Sequence, residues 1–78
     1  MTETIQHLRG EIAGRALTRR EIEALQHFAE GHTSEVIGAM MALTTSTVLT
    51  MLAHIRQKLG ARDKTHAVAI AIRRGLIE

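Results

Sequence analysis

The chain has 78 residues, enough for one small core but close to the size at which burial only just offsets chain entropy. Hydrophobic residues make up 45%, Phe28 is the sole aromatic, and proline and cysteine are absent, which fits a helical chain and excludes a disulfide framework or thiolate metal site. The formal net charge of +2 is uneven: residues 1–35 carry six acids against four bases, and residues 36–78 carry six bases against Asp63 and Glu78, which points weakly to a polyanionic partner.

In the first sixteen residues, Thr4 can cap a helix in which Ile5, Leu8 and Ile12 share a face, although Gly10 and Gly14 each weaken it by about 1 kcal/mol. A short extra helix or arm is expected over 1–16, ahead of one domain over 17–78. No repeat, low-complexity tract or linker divides the chain, and no apolar run is long enough for a membrane span. A cytoplasmic location is expected.

The stretch "LTRREIEALQHFAEG" carries a capping box, Thr18 with Glu21, followed by Ile22, Leu25, Phe28 and Ala29 at helical spacing and by Gly31 as a stop. "TSEVIGAMMAL" predicts a short helix capped by Thr33 or Ser34, with Val36, Ile37, Met40 and Met41 as its buried stripe and an end near Ala42. "TTSTVLTMLAHIRQKLG" then predicts a longer helix between an N-cap at Thr44 and a stop at Gly60. Val48, Leu52, Ile55 and Leu59 gather on its inner side, and Thr50, Ala53, His54 and Gln57 lie opposite. Leu49 and Met51 flank the stripe, with Met51 the closer to the core edge. A fourth helix follows from a cap at Asp63 to Gly75. Its consecutive apolar residues, Ala67 to Ile72, are too many for one small core to cover, so Val68, Ala69, Ile72 and Arg73 are expected to meet a second copy.

Two short helices joined near Leu43, the second opened by hydroxyl residues, suit a helix-turn-helix. The first braces the second, whose N-terminal end can enter the major groove while free N–H groups and hydroxyls meet phosphate. The segments "LTRREIEAL", "AEGHTSEVIGAMMALTTSTV" and "IRQKLGARDKTHAVAIAIRRGLI" resemble the LuxR-type helix-turn-helix domain, from Leu17 to Ile77 without a gap. The end "KLGARDKTHAVAIAIRRGLI" is especially similar to acyl-homoserine-lactone quorum-sensing regulators. The resemblance implies an all-α, four-helix DNA-binding domain that pairs largely through its last helix, here as a stand-alone bacterial regulator. It departs from the family pattern at Leu49 and Met51, where a lysine and a histidine are common, and at Ser34 to Gly38, where Asn-Lys-Glu-Ile-Ala is common.

The expected partner is duplex DNA, bound in the major groove by a homodimer. Thr33, Thr44, Thr45, Ser46 and Thr47 are candidates for phosphate, Thr50 and His54 for base edges, and Leu49 for thymine methyls beside Ala53. Arg56, Lys58 and Arg62 would supply the electrostatic grip. The alternative is an antiactivator-like protein that pairs with a full-length LuxR-type regulator and binds DNA weakly or not at all. An enzyme is not expected, and neither is a cofactor: the five histidines form no His-x-x-x-His pair, no cysteine completes a zinc set, and Glu21 and Glu23 face different directions.

Overall fold

Thr18 opens the first helix as the capping box requires: its hydroxyl accepts from the Glu21 N–H at 3.1 Å, and its own N–H donates to Glu21 Oε1 at 2.7 Å. In the computed structural model, which describes residues 14–78, this helix is α1 (Arg19–Ala29). It is followed by α2 (Ser34–Met41), α3 (Thr45–Leu59) and α4 (Lys64–Arg73), and the described residues contain no strand. Most of the proposed arm, residues 1–13 with Thr4, Ile5, Leu8 and Ile12, lies outside the described residues.

The core is built from one face of each helix. Leu25, Ile37, Val48 and Ile55 are its largest fully buried side chains, closed by Ala24, Phe28, Met41, Leu59, Ala67 and Ala71. Full burial of each large aliphatic side chain contributes about 1.5–3 kcal/mol. The inner stripe of α3 falls where helical spacing put it, with Leu52 and Met51 packed at the core's margin.

Thr33 is the N-cap of α2, accepting from the Val36 N–H at 3.2 Å. The stripe expected on this helix is corrected: Ile37 and Met41 are buried, but Val36 is 43% and Met40 51% exposed. Gly38 decides the orientation. A Cβ built there would stand 2.6 Å from the Leu43 carbonyl oxygen, so the helix presses its backbone on the following turn. The inner face is therefore centred on Ile37, Gly38 and Met41, and Val36 and Met40 lie roughly 100° or more away from it at about 100° per residue. The chain then reverses through Ala42 in the left-handed region at φ 58°, and the Gly38 carbonyl accepts from both Ala42 and Leu43. The axes of α2 and α3 turn through 105°.

Long-range polar contacts lock the bundle. The Arg20 guanidinium donates to the Met41 carbonyl at 2.9 Å, tying α1 to the end of α2. Lys64 Nζ lies 5.1 Å from the centre of the Phe28 ring, joining α4 to α1. After α4, Ile77 is buried, and the Gln26 side chain exchanges two hydrogen bonds with the Glu78 backbone at 2.9 and 3.1 Å. The closing residues thus dock on α1. Among the described residues, no single helix is long and apolar enough to cross a membrane.

Candidate nucleic-acid interface

Thr44 prepares the start of α3. Its hydroxyl accepts from the Thr47 N–H at 3.1 Å and donates to Thr47 Oγ1 at 2.9 Å, so the two threonines satisfy each other. No acidic residue stands in the first turn, and the exposed Thr45 and Ser46 keep their backbone N–H groups outside the hydrogen bonds of the described residues. Oriented N–H groups without a competing carboxylate favour an anion such as phosphate.

Farther along, Thr50 is exposed but donates to the Ser46 carbonyl at 3.1 Å, which leaves its oxygen to act chiefly as an acceptor. His54 is exposed and Ala53 half-buried on the same outward side, with Leu49 51% exposed at its margin. Met51 packs against the core instead. The structure therefore brings Thr45, Ser46, Leu49, Thr50 and His54 onto the accessible part of α3. Thr33 is exposed at the start of α2.

The cations divide. Arg62 is exposed in the turn between α3 and α4, where its backbone N–H donates to His66 Nδ1 at 3.0 Å while the His66 N–H donates to Asp63 Oδ1 at 2.8 Å. Arg56 is half-buried, and its Nε is enclosed without a hydrogen-bond partner among the described residues. Lys58 requires a correction: it does not project as a free cation. Its ammonium donates to Glu21 Oε1 at 2.7 Å, with 14% and 8% of the two side chains exposed. Burial alone would raise the Glu21 carboxyl, but the Lys58 and Thr18 hydrogen bonds and the Lys58 charge outweigh it and hold the carboxyl below its ordinary value. The capping role of Glu21 was legible locally, but the lysine 37 positions away was not.

On α4, Ala67 and Ala71 are fully buried, Val68 and Ala69 are half-buried, and Ile72 and Arg73 point outward, Ile72 at 49% exposure. Of the candidate pairing residues, Ile72 and Arg73 thus face outward, whereas Val68 also packs against the core.

Residues 15–71 match the family described as bacterial regulatory proteins, luxR family. The chain is 38% identical over 73 residues to the uncharacterized transcriptional regulatory protein YxjL of Bacillus subtilis, covering 94% of this chain and 34% of that protein. It is 36% identical over 62 residues to the transcriptional regulatory protein DegU of Brevibacillus brevis, covering 80% of this chain and 26% of that protein. The chain thus spans about a third or less of these relatives. The solved structure of the transcription factor GerE superposes with a TM-score of 0.78 at 26% identity, covering 82% of this chain and 97% of that one.

Proposed function

The chain belongs to the luxR family of bacterial regulatory proteins, and from that premise we propose that it regulates transcription by binding duplex DNA through α3. The observation that carries this reading is the 105° turn between α2 and α3, which leaves the hydroxyl-rich start of α3 exposed beyond its bracing helix. In this reading, Thr45 and Ser46 hold phosphate, Thr33 and the Thr44 cap lie beside the backbone, and Thr50, His54 and Leu49 face base edges, with Ala53 allowing close approach. Arg62 and Arg56 supply charge from the far end of the helix. The binding unit is the domain over 17–78, and catalysis plays no part.

The active form is a homodimer joined by Val68, Ala69, Ile72 and Arg73. A two-fold pair of such domains reads half-sites about one helical turn apart. A cytoplasmic setting follows from DNA as partner, and a quorum-sensing context from the resemblance of the C-terminal segment.

A second reading is favoured by the exposed apolar side chains of the motif, Val36 and Met40 on α2 and Leu49 on α3. They suit a protein contact, with a full-length regulator of the same family as partner. Fluorescence anisotropy with generic duplex DNA across a salt series separates the readings. Salt-sensitive binding that weakens in Arg62→Ala and Arg56→Ala supports the DNA reader. No binding at low salt by a folded protein overturns it and leaves the protein-pairing reading.

A further inference from the structure

We propose that His27, Glu30 and His32 form a binding site for a first-row divalent cation, with Zn²⁺ as its natural probe, at the turn between α1 and α2. One donor atom from each residue lies within 4.8 Å of the other two. The backbone explains why they meet. Gly31, at φ 92°, ends α1 with a pair of hydrogen bonds, from His32 N–H to the His27 carbonyl at 3.1 Å and from Gly31 N–H to the Phe28 carbonyl at 3.0 Å. This Schellman arrangement lays the residue after the glycine against the third helical residue from the end, where two apolar side chains usually pack. Here both positions carry imidazoles, with ring centres 6.0 Å apart and planes at 68°.

Glu30, the C-cap, completes the set. Its Oε1 lies 3.5 Å from His27 Nδ1, and that nitrogen is buried without a hydrogen-bond partner among the described residues. A buried polar atom left unpaired costs free energy, and a cation between the nitrogen and the carboxylate removes that cost. The 3.5 Å separation is already close to the edge of a tetrahedron with bonds of about 2.0–2.2 Å, which is roughly 3.4 Å. The His32 donor, within 4.8 Å of the other two, would move inward to complete the coordination. Two imidazoles and one carboxylate suit zinc, nickel or copper better than magnesium or calcium, with the fourth position open to water. Sequence spacing hid the site because the second imidazole comes from the turn rather than from the helix. Thr33 follows directly, so a bound ion steadies the entry to α2. The proposal stands independently of the DNA-binding reading.

The test is calorimetric titration of untagged protein with Zn²⁺ near neutral pH, with Co²⁺ absorption reporting coordination geometry. The expected result is one ion per chain, at least tenfold weaker binding in His32→Gln and Glu30→Gln, and unchanged binding in His54→Gln. Zinc should also raise the melting temperature of the wild type but not of His32→Gln, whose fold is checked by circular dichroism. His27→Gln is a further comparison if it folds, and the other two variants suffice without it. No uptake at millimolar zinc, or equal uptake by wild type, His32→Gln and Glu30→Gln, overturns the proposal.

Discussion

Lys58 and Glu21 join α3 to the start of α1 through an ion pair largely shielded from water, so the lysine's charge serves the fold before it can serve a ligand. Truncating the lysine strands a buried carboxylate, and Lys58→Ala should cost about 3 kcal/mol in urea unfolding. A loss within about 0.5 kcal/mol, the range of ordinary surface substitutions, would show that the pair does not hold the helices together. The same pair sets an acid limit on stability. Because the folded protein holds Glu21 below its ordinary value of 4.5, its contribution is complete above that pH and declines as the pH falls through the folded value. Wild-type unfolding midpoints should therefore drop on acidification below about pH 4.5, and Glu21→Gln should be less stable near neutrality but show a shallower acid decline. Parallel pH profiles for the two proteins would count against this assignment.

At the scale of the element, the junction of α2 and α3 depends on two small residues with opposite demands. Gly38 sits where a Cβ would meet the Leu43 carbonyl at 2.6 Å, and Ala42 adopts a left-handed conformation that glycine tolerates better. Gly38→Ala should destabilise by about 2 kcal/mol despite alanine's better helix propensity, whereas Ala42→Gly should stabilise by about 1 kcal/mol. Thermal or urea unfolding decides both, and a Gly38→Ala protein as stable as wild type would show that the turn yields. These effects also explain what the sequence could reveal. Caps at Thr18, Thr44 and Asp63 announce helix starts because their hydrogen bonds span only three residues. Val36 and Met40 were misplaced because an eight-residue helix this rich in apolar side chains does not reveal which side will be covered; the backbone contact at Gly38 chooses it. Lys58 with Glu21, and Gln26 with Glu78, are joined by folding across long separations that no local pattern records. The accessible hydroxyls of α3 were legible in the sequence, but the number of free cations beside them was not.

For the whole molecule, affinity and assembly become one question once Lys58 is committed to Glu21. A single protomer brings few cations to the phosphate backbone from α3 and its following turn, and each neutralised phosphate contributes only about 0.9 to the salt slope. In the proposed dimer, pairing through α4 would double that number and set two copies of α3 in one register, so this surface would gain most from pairing. Ile72, half-exposed on the side of α4 opposite the buried Ala67 and Ala71, is the position where a charge should break the pair without disturbing the core. Wild-type protein should sediment as a dimer and Ile72→Glu as a monomer with unchanged helicity. The salt slope of the variant on generic duplex should fall to roughly half. A dimer mass retained by Ile72→Glu would move the interface elsewhere. A monomer that keeps the full slope would separate DNA contact from pairing and require the phosphate grip to reside within one chain.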